Sequence, residues 1–328
     1  MKVEIFRRTV KDRKRGNSYE LLYHLKEGIE AAGDEAIIVN EKRSGPTVEG
    51  EMTPTAPMAA MFGYGGDRQM HHTKGRRREL ADNCRANNIP LITFDGGLLS
   101  SFGNVSTSPE HHFRVSLYTP MNDGDFLSDN SPDDRWQMMV KKFKVKYEPW
   151  RRSNQGDPII FVLQPKDNWS MNELDPIAWF NGVYEKLRPA TDRPFIVRPH
   201  PNHVATIVDR RDELPEDIEL QYIQKHFAGD EKKFYRFHFQ EAIANAHAVV
   251  THNSTASTDS CIRGIPTFCT SDLAICWDVC NKDLNNIETP EYPDRTQWVH
   301  DLGYKMWSIQ EIRDGTVYKR FKSKLGLK

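Results

Sequence analysis

The stretch His247-Ala-Val-Val-Thr-His-Asn-Ser-Thr-Ala-Ser-Thr-Asp-Ser-Cys-Ile-Arg-Gly-Ile-Pro266 decides how the chain folds. Ala248 to Thr251 is a short apolar run of the kind that makes a buried strand, and Asn253 or Ser254 can cap a helix running from Ser254 to Arg263. Gly264 ends that helix, and Pro266 opens a further strand at Thr267 to Cys269. At the C-terminal edge of a parallel sheet, a turn of this type offers backbone N–H groups and the positive end of a helix dipole, which together hold phosphate. The hydroxyls of Ser254, Thr255 and Ser257 would add donors; a capped helix without ligand satisfies the same pattern.

The βα rhythm extends outward from this stretch. In the second half it predicts strands at Ile159 to Leu163, Phe195 to Val197 and Ile218 to Ile223, with helices at Pro176 to Leu187 and Phe239 to Ala246. In the first half it predicts strands at Val3 to Phe6, Ala36 to Val39, Ala59 to Tyr64 and Leu91 to Phe94, with helices at Tyr19 to Ala32 and Arg76 to Asn88. Residues Asp95 to Asp134 are rich in Gly, Ser, Asn, Asp and Pro and read as a functional loop or irregular structure. The polar segment Glu148 to Asp157 marks a domain boundary, giving one domain over 1–150 and another over 151–328, which ends in closing helices after Ser308. The expected class is α/β, with two Rossmann-like domains facing a cleft.

A second chemical signal is Phe195-Ile-Val-Arg-Pro-His-Pro-Asn202, where an apolar strand runs into Arg198 and His200 held by two prolines. A guanidinium fork suits phosphate oxygens, and an imidazole can donate to a departing diphosphate. Two such strand ends in one sheet would open onto the same crevice. A lone His such as His200 is more often structural.

Among the 328 residues, Lys and Arg nearly balance Asp and Glu, for a formal net charge of −1. Positive charge is nevertheless concentrated at residues 7–15 (including Arg13 and Arg15), at Arg76, Arg77 and Arg78, and from Lys141 through Lys142 to Arg151 and Arg152. These clusters are either solvated faces or a surface that meets phosphates. No segment has the apolar length of a signal peptide or membrane span, so a cytoplasmic protein is expected, in the host cytoplasm if it is viral. The five cysteines are read as reduced and packed; Cys276 and Cys280 have a helical spacing, but no paired Cys or His set completes a metal site in the sequence.

The two phosphate-suited motifs resemble the donor site of GT-B glycosyltransferases, in particular bacterial capsular polysaccharide transferases of the Kdo type. Arg198-Pro-His-Pro201 matches the first motif of that family, and Asn253, Ser254, Thr255, Gly264 and Pro266 match the second. Asp259 stands where the family usually has Glu, and Ser257 where it often has Gly. The resemblance implies a GT-B-like fold and a nucleotide-sugar donor contacted by Arg198, His200, Asn253, Ser254, Thr255, Ser257 and Asp259. The chain also resembles glycosyltransferases of tailed bacteriophages, through His112 to Tyr118, Arg135-Trp136, Pro149 to Arg151 and Trp298 to Tyr304. Some of those enzymes glycosylate hydroxymethylated pyrimidines in DNA. This resemblance gives the basic residues Arg13, Arg15, Arg76, Arg77, Lys142 and Arg151 a partner.

Asp95, between a strand and Gly96-Gly97, is the candidate base; an Asx turn is the alternative role. His200 is the second candidate catalytic residue. Asp123-Gly-Asp125 has the spacing of a metal-binding motif but lies in a Gly/Pro-rich loop, so no metal and no cofactor beyond the sugar nucleotide is expected. A capsule or lipopolysaccharide transferase, a nucleotide-sugar epimerase and a non-catalytic binder remain alternative readings.

Overall fold

The computed structural model describes residues 1–8, 17–41, 52–64, 74–99, 111–166, 168–221 and 239–328. The chain divides into two compact units, one formed by 1–98, 102–136 and 300–328 and the other by 99–101 and 137–299.

The first unit is built on a six-stranded sheet: β1 (Lys2–Arg8), β2 (Glu35–Glu41), β3 (Met58–Phe62), β4 (Leu91–Asp95), β5 (His112–Leu117) and β11 (Met306–Ser308). Their order across the sheet is β11-β5-β4-β3-β1-β2. The first four strands are parallel, whereas β5 and β11 run antiparallel to their neighbours. The four predicted strands of this half are therefore present, but β5 was missed inside the region read as irregular. Its alternation of His112, Arg114 and Ser116 with apolar residues suggests a half-exposed strand, yet all six residues are buried. Arg114 tolerates burial because its Nη2 donates to Asp95 at 3.1 Å, in the register position directly opposite.

Helices α1 (Asn17–Ala31) and α2 (Lys74–Ala86) match their expected positions to within a turn. The helix α3 (Asp134–Phe143) was not anticipated. The second unit carries five parallel strands in the order β10-β9-β6-β7-β8: β6 (Ile159–Val162), β7 (Phe195–Arg198), β8 (Ile218–Leu220), β9 (Ala248–Thr251) and β10 (Thr267–Cys269). Around them lie α4 (Pro176–Leu187), whose Asp175 caps it and whose first residue is Pro176, the short α5 (Val204–Val208), a helical turn at 239–244 and α6 (Ala256–Ile262). Phe161, Phe180, Phe195 and Phe268 fill one face of this sheet, and Ile160, Val249, Ile243 and Phe239 the other.

Two expectations about the domains need correction. The boundary expected at Glu148 to Asp157 falls earlier, between residues 136 and 137, and the segment from Glu148 is strapped to the second unit. Glu148 N–H donates to Ile262 O at 3.0 Å, Arg151 N–H to Gly264 O at 2.7 Å, and Arg295 stacks on Trp150 at 3.9 Å. Gly264 has φ +70°, and a Cβ there would lie 1.9 Å from Pro149 O, so glycine is required both for the helix end and for this approach. The closing helices also belong to the first unit. After α7 (Thr296–Lys305) the chain supplies β11 to the first sheet, then α8 (Ile309–Arg313) and α9 (Thr316–Lys324) pack against α1. Gly28 of α1 permits this packing, since a Cβ would come 2.1 Å from Ile312 O.

Asp34 secures the returning segment. Its carboxylate, 4% exposed, accepts from Tyr318 Oη at 2.7 Å, from Lys322 Nζ at 2.5 Å and from the Met1 amino group. Burial pushes its pKa up, but the bonds from Lys322, the amino group and Tyr318 outweigh that and hold it below the usual carboxylate range. Asp34→Asn should lower unfolding free energy by about 3 kcal/mol in urea denaturation, because it removes one partner of a buried ion pair. With the folded pKa depressed, the wild-type advantage is present above about pH 4 and disappears as pH falls through the folded value. The difference in melting temperature between the two proteins should therefore shrink progressively below about pH 4.

Candidate functional site

The candidate site lies at the C-terminal edge of the second sheet, where its topology reverses. Strand β6 is central; the chain continues from it to β7 and β8 on one side, then returns to β9 and β10 on the other. Open α/β sheets bind ligands at such a switch point. Val162 pairs in register with Arg198 on one side and with Thr251 on the other, so these two residues stand level across the end of β6. Adjacent strands are about 4.8 Å apart, which sets Arg198 and Thr251 roughly 10 Å from one another.

Both motifs singled out in the sequence therefore emerge at one level. On the β7 side, Arg198 is buried, its Nη1 donates to Gln221 Oε1 at 2.5 Å, and its guanidinium lies 5.9 Å from the Phe239 ring centroid. Pro199 then turns the chain so that His200 is half-buried, with its carbonyl accepting from His203 N–H at 2.8 Å. On the β9 side, Thr251 Oγ1 donates to Val162 O at 2.9 Å, and His252, Asn253, Ser254 and Thr255 follow.

Within that turn the residues divide by role. Asn253 is 2% exposed and joins three loops: its Oδ1 accepts from Gln164 Nε2 at 2.8 Å and Ser170 Oγ at 3.0 Å, and its Nδ2 donates to Ser170 O at 2.9 Å. Its own N–H donates to Gln164 Oε1 at 3.0 Å, so the two amides form a reciprocal pair bridging the ends of β6 and β9. Ser257 is fully buried and donates to Ser254 O at 2.6 Å. Asn253 and Ser257, both expected to contact the donor, are thus committed to building the turn. Ser254 is half-buried, with Oγ accepting from Ala256 N–H at 3.3 Å, and Thr255 is exposed, so these two present the outer surface of the turn. Asp259 sits half-buried within α6.

Sequence reasoning overlooked His252, although it stands inside the quoted stretch. Its Nδ1 is 2.9 Å from Thr270 Oγ1, and that hydroxyl also accepts from the Trp179 indole N–H at 2.8 Å. Burial lowers its pKa, favouring a neutral imidazole at the strand end. A His directly after a buried strand and before an Asn-Ser turn was the available signal.

In the first unit, Asp95 ends β4. Its Oδ2 accepts from Arg114, and its Oδ1 accepts from the N–H of the next residue, Gly96, at 2.7 Å. Asp123 and Asp125 close turns: Asp123 accepts from Thr119 Oγ1 at 2.5 Å, and Asp125 Oδ1 from Leu127 N–H at 2.7 Å. The residues assigned to DNA also divide. Arg13 and Arg15 lie outside the described residues, as does the side chain of Arg76. Arg77 is buried and donates to the carbonyls of Phe62 and Gly63, while Arg151 donates to the carbonyls of Ala244 and Ala246. Both guanidiniums therefore hold backbone carbonyls. Lys142 is exposed, as are Lys141, Lys144 and Lys146 around it.

No protein-family model and no curated protein sequence matches the chain. Among solved structures, it is similar to the beta Kdo 2,4 transferase of Thermosulfurimonas dismutans KpsC, at 14% identity and a TM-score of 0.54, covering 92% of this chain and 90% of that one. The chain has a GT-B-type fold. Two weaker likenesses carry no weight beside it. One is to the Methanocaldococcus jannaschii UDP-GlcNAc 2-epimerase (11% identity, TM-score 0.35, 98% and 99% coverage). The other is to an alpha-glucosyltransferase in complex with UDP and a 13-mer DNA containing an HMU base (11% identity, TM-score 0.32, 99% coverage of each chain). Both halves of this GT-B-type chain are Rossmann-like, and no helix among the described residues is long and apolar enough to cross a membrane.

The division of roles in the turn is open to test. Asn253→Ala should cost about 2 to 4 kcal/mol in denaturant unfolding, since it strands Gln164 and Ser170 without their partner. Thr255→Ala, at an exposed position, should change stability by less than about 0.5 kcal/mol.

Proposed function

We propose that the protein is a glycosyltransferase that takes its sugar from a nucleotide diphosphate bound at the switch point of the second unit. The observation that carries this reading is the level placement of Arg198 and Thr251 on either side of β6, with His200 and Ser254-Thr255 immediately beyond them. A diphosphate is about the right size for that span, and the site supplies a guanidinium, an imidazole and hydroxyls. In transfer, the bond between the sugar's anomeric carbon and the diphosphate oxygen breaks as the acceptor oxygen bonds to that carbon. Arg198 would neutralise the charge developing on the departing diphosphate, and His200 would donate to it. Ser254 and Thr255 would hold the same phosphates before and during the reaction. Asp95 is the proposed base for the acceptor hydroxyl, with Arg114 as its charge partner.

For the acceptor, we propose a hydroxymethylated pyrimidine of double-stranded DNA. The support is the resemblance to phage glycosyltransferases together with the exposed run Lys141, Lys142, Lys144 and Lys146, a cluster suited to a polyanion. The pyrimidine 5-position faces the major groove, where a hydroxymethyl group is accessible; otherwise the base is flipped at a cost of a few kcal/mol.

A thermal-shift screen with nucleotide-sugars should find a donor, and that donor then serves every later measurement. With it, His200→Ala should lose about 2 to 4 kcal/mol of transition-state stabilisation in kcat/KM while remaining folded. Unchanged turnover removes His200 from the mechanism. The pair Ser254→Ala and Thr255→Ala should raise the donor KM more than it lowers kcat, and Asp95→Asn, whose side-chain oxygen can still accept from Gly96 N–H, should lower kcat with donor affinity unchanged. Incubation of donor and protein with DNA containing 5-hydroxymethylcytosine or 5-hydroxymethyluracil, followed by nucleoside mass spectrometry, should reveal a sugar increment. If a free or lipid-linked saccharide is modified and DNA is not, the acceptor is of the capsule type.

A further inference from the structure

Cys269, Cys276 and Cys280 are separated by six and three residues, and the sequence gives no reason to group them. The fold brings all three together: their Sγ atoms lie within 4.8 Å of one another, with Cys269 and Cys276 at 3.6 Å, and each side chain is buried. We propose that these thiols form a structural site for one thiophilic divalent cation of the zinc or cadmium type.

Three observations carry the proposal. The first is spacing: with metal–sulfur bonds of about 2.3 Å, thiolates around one cation sit about 3.8 to 4.0 Å apart, inside the range already present. The second is charge. Three thiolates and a divalent cation leave one negative charge, and the Lys282 ammonium, over the Trp277 ring at 4.9 Å, acts electrostatically on Cys280 and can balance it. The third is placement. Cys269 ends β10, Cys276 opens a single helical turn at Trp277–Val279, and Cys280 closes it. The loop between them is gripped at its neck by Cys269 N–H to Asn281 O at 3.1 Å and Asn281 N–H to Thr267 O at 2.7 Å. It carries Thr270 beside His252 and Ser271 beside Asn253. A cation held by all three thiols would staple this loop and fix the partners of the switch-point turn.

Without a cation, contact with Cys276 and Cys280, together with burial, pushes the Cys269 thiol up. Binding is then an exchange in which three thiols and M2+ give the tris-thiolate complex and three protons, with no change of oxidation state. Cys84 and Cys261 are also buried free thiols and provide the internal control.

The test uses the full chain, kept reduced. Metal content is read by mass spectrometry on the protein as isolated, and the protein is then titrated with Cd(II) while thiolate-to-cadmium charge-transfer absorption is followed. The expected result is one bound zinc per chain that Cd(II) displaces, or uptake of one Cd(II), with a rise in Tm. The signal should persist in the Cys84→Ala/Cys261→Ala variant and be lost in Cys276→Ala and Cys276→Ser, each checked for folding by circular dichroism. Folded, reduced wild type that holds no metal and gives no absorption with Cd(II) overturns the proposal. So does a signal undiminished in both Cys276 variants.

Discussion

The reciprocal amide pair of Gln164 and Asn253 is the constraint on which the candidate site depends. Parallel strands end together at the switch point, and the loops leaving β6 and β9 must separate there while their polar groups remain out of water. Asn253 resolves this by using side chain and backbone at once, tying its own turn to Gln164 and to Ser170. With the turn so fixed, Ser254 and Thr255 lie at its outer surface. Arg198 is held comparably on the other side, between Gln221 and Phe239. The rigid parts are buried amides, and the parts offered to a ligand are the residues just beyond them.

A second group of contacts makes the chain return to its first unit. Arg135 donates to Gly303 O at 3.0 Å and Met306 O at 2.8 Å, pairs with Glu311 and stacks on Trp307 at 3.9 Å. Ser308 and Glu311 form a capping box that starts α8 at the point where β11 ends. These residues, with Trp150 and Trp298, include the patterns that resemble phage glycosyltransferases. In the structure they act as staples: Trp150 donates to Pro293 O at 2.6 Å and Trp298 to Ile275 O at 3.2 Å. Such patterns report how the chain is held together.

Positive charge in this protein also has two uses that sequence does not separate. Arg77 and Arg151 look the same in a charge count as Lys141 and Lys142, yet each arginine is spent on two carbonyl oxygens at the end of a strand or helix. A planar guanidinium with several donors suits that role, while a flexible ammonium does not; the lysines of the cluster are exposed, as is Arg152, whose guanidinium lies 5.6 Å from the Tyr292 ring centroid. A basic run is therefore better weighed by residue type than by total charge.

Local pattern made most elements legible in the sequence. The strands Ala248–Thr251 and Thr267–Cys269 and the helix Pro176–Leu187 appear where their periodicity and caps put them, because apolar runs, Asp175 and Gly264 act within a few residues of chain. The two strand-end motifs were legible for the same reason. What the sequence could not reveal depends on partners far along the chain. Strand β5 is hidden by polar residues, among them Arg114, whose burial is compensated by Asp95; the return of α8 and α9 to the first unit depends on Asp34 and Gly28. The thiol trio depends on a loop closed by Asn281, and the commitment of Asn253 depends on Gln164, 89 positions earlier. Sequence alone determined where the backbone could be regular, since that is set by neighbours. Tertiary structure alone decided which polar groups are used up inside and which are left to meet a ligand, since a buried donor or acceptor must be paired wherever its partner lies.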